Sequence, residues 1–332
     1  MRPSRARAHD AHVKRVALAL AAFAAVVLTG TAAALLTPGR SVVNAAPVSA
    51  LSVTGRSVVY AVGRTKADCG TVRLWDTGSR GLWTFGSRTI VGCEEGFSGG
   101  FGIAQVATSG RRAFWVTNVG GNFTDYQLWT ATPTRRTPLR LAFASSETGG
   151  PPAIVLGNGT REAVPYAVGG TVTYVAENGA RLFRTDLGSP VRLLTAGTGP
   201  GQARVAAALA DGRVVTLSRT GEILATDRRA PATVAAIALG LPGAVVQVGR
   251  TVTVGTSSVS LPTGGLVLDY RQGSLVYRKG TQVRARVVSS GADSLLQVIA
   301  VKPWQTPPFS TDSLGSAWAR GATVNWRAGP LS

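Results

Sequence analysis

The chain has 332 residues, with 41 Gly, 17 Pro, two Cys, two His and a formal net charge of +19. Scarce Glu, Lys and Met exclude an architecture of long amphipathic helices beyond the N-terminus. The length fits two average domains or one large all-β unit, and the Gly and Pro content favours the turn-dense β reading.

Arg2, Arg5, Arg7, Lys14 and Arg15 precede the apolar run Val16–Leu28, and no charge stands between Arg15 and Arg40. A basic flank followed by an apolar segment is the layout of an export signal. Val43-Asn44-Ala45 before Ala46 offers small residues for cleavage, as do the alanines at 32–34. An uncleaved anchor competes, because the 21 residues of Val16–Leu36 approach the roughly 20 that cross a bilayer. Residues 1–45 are therefore expected to hold an apolar targeting helix. Residues 46–332 are expected outside the cytoplasm, secreted or held to the membrane through that segment alone.

From Ala46 onward 29 basic residues face 15 acidic ones, a balance of +14. Such a charge favours anionic partners, with an envelope protein or an anionic wall polymer as the expected class. No block of five or six basic residues occurs, which fits an even scatter of Arg over the surface. Cys69 and Cys93 are an even pair in an exported body, the condition for one disulfide. Its loop closure would contribute roughly 3–4 kcal/mol. Two buried free thiols are the alternative.

A short pattern, a Gly-led turn followed by apolar and aromatic β-formers, begins at Gly55, Gly110, Gly170, Gly212, Gly249, Gly273 and Gly321. Strands are predicted around it in order. The first unit has Val48–Val53, Val58–Val62, Thr71–Asp76 and Leu82–Phe85. The second has Ile103–Ala107, Ala113–Thr117, Tyr126–Thr130 and Pro138–Phe143. The third has Ala163–Val168, Thr171–Ala176, Ala180–Thr185 and Val191–Leu194. The fourth runs from Arg204–Leu209 to Thr233–Leu239. The fifth spans Val245–Val248 to Gly265–Asp269, the sixth Ser274–Tyr277 to Leu295–Val301. A last hairpin pairs Ser316–Ala319 with Thr323–Arg327. The Gly-led starts average about 44 residues apart, the length of a four-stranded blade. One such sheet cannot bury both faces alone, so the prediction is an all-β β-propeller of six or seven blades, closed between the two chain ends.

The repeats resemble the TolB-like and WD-repeat-like β-propeller superfamily. Ser109-Gly110-Arg111 and Asp211-Gly212-Arg213 match its turn, and Leu74-Trp75-Asp76, Leu128-Trp129 and Leu182-Phe183-Arg184-Thr185-Asp186 match its third strand. Pro190-Val191-Arg192-Leu193-Leu194-Thr195 resembles its ending. The resemblance covers Ala46 to about Arg327 and implies the fold; because the Pro-Asp pair before Gly is absent as a unit, it is to the superfamily and to no particular member.

In an up-and-down blade, loops joining strands two to three and blade to blade emerge on one face. The long loops fall mostly there: Gly63–Gly70, Gly86–Gly102, Asn118–Asp125, Ser145–Glu162, Ala196–Ala203 and Lys302–Gly315. That face is the expected binding surface. Its candidate binding residues are Arg64, Lys66, Asp68, Glu94, Glu95, Asn122, Asp125 and Trp304, and Cys69 and Cys93 share it.

His9 and His12 both lie in the targeting flank, so the body has no histidine for a triad, a zinc site or a His-dependent lyase. No Asp-x-Asp-x-Asp loop, Gly-x-Ser-x-Gly elbow or phosphate cradle occurs, and no metal or cofactor is expected. Ser310–Trp318 is similar to a sialidase Asp-box with its Gly one position late, and is read as a turn. Trp and Tyr fall at strand positions and read as core, which argues against nucleic acid. The expected function is an exported, non-catalytic binding or scaffold module at the bacterial cell envelope. The alternatives are a hydrolase or lyase using loop carboxylates, and an adhesin for anionic envelope polymers.

Overall fold

The computed structural model describes residues 38–62, 71–86, 101–120, 122–147, 151–228, 234–300 and 307–329. The expected targeting helix and both cysteines lie outside them. The described strands form seven four-stranded antiparallel sheets.

Blade 1 is β2 (Val48–Thr54), β3 (Ser57–Val62), β4 (Val72–Asp76) and β5 (Leu82–Phe85). Blade 2 is β6 (Phe101–Ser109), β7 (Arg112–Gly120), β8 (Phe123–Ala131) and β9 (Leu139–Glu147). Blade 3 is β10 (Ile154–Leu156), β11 (Ala163–Val168), β12 (Thr171–Ala176) and β13 (Arg181–Asp186). Blade 4 is β14 (Val191–Ala196), β15 (Ala203–Leu209), β16 (Arg213–Ser218) and β17 (Ile223–Arg228). Blade 5 is β18 (Val234–Gly240), β19 (Gly243–Val248), β20 (Thr251–Val254) and β21 (Ser257–Ser260). Blade 6 is β22 (Gly265–Arg271), β23 (Ser274–Lys279), β24 (Gln282–Val287) and β25 (Asp293–Val298). Blade 7 takes β26 (Phe309–Thr311), β27 (Gly315–Arg320) and β28 (Thr323–Ala328) from one chain end and β1 (Arg40–Val43) from the other.

The first strands β2, β6, β10, β14, β18, β22 and β26 all line one central channel of about 570 Å³, which makes the arrangement radial. The second strands lie between neighbouring blades on both faces. β3 is therefore buried at all six positions and carries no polar alternation, whereas the outer strand β13 alternates and exposes Arg181, Arg184 and Asp186. Large aromatics fill the wedges: Phe85 of blade 1 stacks on Trp115 of blade 2 with centroids 6.3 Å apart and planes 7° from parallel.

The ring closes as expected between the chain ends. Arg40 pairs with Trp326 and Val43 with Thr323. The propeller begins at this strand, ahead of the boundary expected at 46. Buried Asn44 then ties the closing blade to the first. Its amide nitrogen donates to the Ala322 carbonyl at 2.9 Å, and its Oδ1 accepts from Tyr60 at 3.0 Å and Arg73 at 2.6 Å.

Burial pushes the Tyr60 phenol up to about 12, against the opposing pull of Arg73 and Asn44. Burial likewise pushes Tyr174 up to about 12, opposed by its bond to Thr160. In the unfolded chain both ionise near pH 10, so the folded state binds more protons between about pH 10 and 12. Their contribution is full below pH 10 and lost as pH rises through 12, about 2–3 kcal/mol for each. Urea midpoints measured from pH 9 to 12 should fall steeply in that window, and a flat profile would contradict the assignment.

The blade count resolves to seven, and the phase of the predicted units is corrected. β10 is only three residues, between a Gly-Pro stretch and Gly157, and its brevity hides it from pattern reading. Without it, Val191–Leu194, Thr233–Leu239 and Gly265–Asp269 read as fourth strands; they are first strands of the next blades. The Gly-led pattern also marks hairpins and not blade starts. Gly55 turns β2 into β3, first to second strand, whereas Gly249 turns β19 into β20, second to third; their φ values are 63° and 56°. The segment Ala196–Ala203 consequently joins first to second strand and emerges on the face opposite to the one expected.

Candidate functional site

The first-to-second-strand turns of six blades converge on one mouth of the channel and enclose a funnel of about 590 Å³. Thr54 comes from blade 1, Thr160, Arg161 and Glu162 from blade 3, and Thr198 from blade 4. Leu241 comes from blade 5, Tyr270 and Arg271 from blade 6, and Asp312 from blade 7. Bonds between blades tie several of these turns: Thr54 Oγ1 donates to the Thr108 carbonyl at 2.8 Å, and Ser109 Oγ donates to the Arg161 carbonyl at 3.2 Å.

Asp312 shows the construction. Its Oδ1 accepts from the Leu314 and Gly315 amides at 2.8 and 3.0 Å, and its Oδ2 accepts from the Gly55 amide of blade 1. The Ser310–Trp318 stretch thus acts as a turn, with its Asp also bonding the neighbouring blade. Glu162 lies between Arg219, in direct contact, and Arg204 at 3.6 Å. Asp269 sits below, with Oδ2 on Arg271 Nε at 2.9 Å and Oδ1 accepting the Tyr270 amide at 2.8 Å. Burial pushes its carboxyl up, and Arg271 opposes that shift. Every carboxylate of the funnel is therefore committed to structural bonds. Moving a proton at any of them would break a tie between turns or blades.

Other groups point outward. Arg161 is exposed, and Leu241, between Gly240 and Pro242, is 76% exposed at the rim. An apolar tip in a turn that ordinarily carries polar residues is the signal that sequence reading passed over. Asp269-Tyr-Arg271 was invisible for a different reason, since only the fold brings it under the Asp312 turn.

Of the residues expected on the opposite face, Arg64, Lys66, Asp68, Glu94, Glu95 and Trp304 lie outside the described residues. Asn122 is exposed at the β7–β8 turn. Asp125 belongs to β8, where its carboxylate accepts from Ser145 of β9 at 2.5 Å, a cross-strand bond within the sheet. The structure brings these two onto one hairpin and assembles no convergent polar site from them.

No protein-family model and no curated protein matches the chain. Solved structures do. A chain of the mitotic checkpoint complex is 13% identical at a TM-score of 0.54, over 91% of this chain and 94% of its own. Virginiamycin B lyase from Staphylococcus aureus is 10% identical at 0.56, over 88% and 99%. The Neurospora crassa Pan2 WD40 domain is 11% identical at 0.51, over 89% and 95%. At these identities the likeness is one of fold, and the fold is a β-propeller.

Proposed function

We propose that the protein is an exported, non-catalytic binding module of the bacterial cell envelope, and that it receives a protein partner on the funnel side of the propeller. The observation that carries this reading is the division of labour in the funnel. Its carboxylates hold the turns together, while Arg161 and Leu241 present a cation and an apolar tip to solvent. Such a mixed polar and apolar rim suits a protein surface. Export rests on the basic flank before Val16–Leu28.

The lyase among the similar structures raises the enzyme reading. It lacks support here, because a general base is needed, the body holds no histidine, and the funnel carboxylates are engaged. The adhesin reading calls for a continuous basic patch. Around the funnel Arg161, Arg204 and Arg271 are interleaved with Glu162 and Asp312, and Arg271 is paired with buried Asp269 below, which favours a partner surface over a uniform polyanion.

The test is fractionation of cells expressing the full chain, with envelope pellets washed at low and at high salt. The chain should stay in the pellet at high salt, and the Arg161→Glu, Leu241→Asp double variant should be retained at least tenfold less. Loss with salt in both proteins would assign retention to net charge alone. Recovery in the cytoplasm would overturn export.

A further inference from the structure

The outer strand of blade 2 differs from the other six. β9 has nine residues, against four in β1, β5 and β21 and six in β13, β17 and β25. An outer strand leaves a row of backbone N–H and C=O groups unpaired, and proteins ordinarily guard such rows with shortness, Lys or Pro. The stretch Ala142–Ser146 carries no Lys, Arg or Pro, and its Phe143 is 52% exposed. The one irregularity in its pairing falls near the start, between Leu128 and Trp129 of β8. The rest of the edge is regular, and no described strand pairs with it beyond β8.

Beside this edge runs a cleft of about 340 Å³ between blades 2 and 3. Leu141 and Phe143 form one wall, and Tyr166, Thr173, Arg181 and Arg184 the other. Among the described residues no carboxylate lines it. Arg181 and Arg184 are exposed and form no ion pair with a described residue, unlike Arg204, Arg219 and Arg271 at the funnel. The cleft is thus cationic, apolar on its inner wall, and bordered by unpaired backbone.

We propose that β9 takes an extended acidic segment of a partner protein as a fifth strand of blade 2. The segment's backbone bonds to the β9 edge, and alternate side chains turn into the cleft toward Arg181 and Arg184. A second copy of this chain fits less well. Two bodies of +14 repel, and the cleft offers no acid to meet the partner copy's Arg side chains.

The test uses the full chain and a labelled decapeptide alternating glutamate and valine, with its lysine–valine counterpart as control. Fluorescence anisotropy at physiological salt should show binding of the acidic peptide only. Arg181→Glu with Arg184→Glu should weaken it at least tenfold, while Lys279→Glu, exposed on blade 6 and outside both the cleft and the funnel, leaves it unchanged. Both Arg positions are exposed, so the fold should survive; amide exchange should slow across Ala142–Ser146 on binding. Equal binding of the lysine peptide, no binding, no loss in the double variant, or protection elsewhere would each overturn the proposal. So would peptide-free dimerisation that protects β9, which would make a second copy the occupant.

Discussion

A chain starting at Ala46 should unfold far below one starting at Pro38. The shorter chain loses β1, whose four residues pair with β28, and loses Asn44 with its bonds to Ala322, Tyr60 and Arg73. Removing β1 turns β28 into an open outer edge and uncovers Trp326. Removing Asn44 leaves the phenol of fully buried Tyr60 without its acceptor. A few backbone bonds at about 1 kcal/mol each, plus one stranded buried hydroxyl, amount to about 4 kcal/mol and on the order of 10 °C. Thermal unfolding of the two chains measures this directly, and equal midpoints would mean that the ring does not depend on its N-terminal strand. The result also bears on the export proposed above. Cleavage before Ala46 would discard the closing strand, so an intact ring favours cleavage near the alanines at 32–34, or an uncleaved anchor.

Trp115→Ala should cost about 3–5 kcal/mol. Trp115 is 1% exposed and lies in β7, flanked in the sheet by Val106 and Trp129, with its ring stacked on Phe85 across the wedge between blades 1 and 2. Its loss opens a cavity between two rigid sheets that cannot close over it, because each sheet is also packed on its other face. Trp115→Phe should recover much of the loss by keeping an aromatic in the wedge. Trp83 is the control: it is half-buried at the outer strand β5, with the Arg111 guanidinium 5.0 Å from its ring centre. Trp83→Ala should cost about 1 kcal/mol or less. Urea unfolding of the three variants checks the order, and a similar loss for Trp115→Ala and Trp83→Ala would contradict the packing account.

Much of the fold was legible because buried β-strands leave a strong mark. Val58–Val62 and Thr171–Ala176 are runs of β-formers between turn residues, and they appear as β3 and β12 with ends shifted by a residue or none. What was not legible was the phase. A three-residue strand such as β10 carries too few side chains to register. Gly-led turns serve first-to-second hairpins in blades 1, 2 and 6 and second-to-third hairpins elsewhere, because any tight hairpin needs the same backbone freedom. The strand Arg40–Val43 was read as part of the segment ahead of the body, since only its partner at the far end of the chain makes it a strand.

The site was less legible than the fold, for a related reason. Glu162, Asp269 and Asp312 come from blades 3, 6 and 7, and no spacing in sequence joins them. Loop length pointed to the opposite face. The funnel is instead walled by short turns, by Ala196–Ala203, and by the C-terminal ends of the stretches Ser145–Glu162 and Lys302–Gly315, which had been expected across the molecule. Which face binds is the central claim.

The most direct test places a photo-crosslinking residue at position 241 on the funnel rim, or at position 122 on the opposite face, in the full chain expressed in its own cells. Discrete protein adducts from 241 that fade with Arg161→Glu, and none from 122, are the predicted result. Adducts from 122 alone would contradict it and return the binding surface to the face of the longer loops.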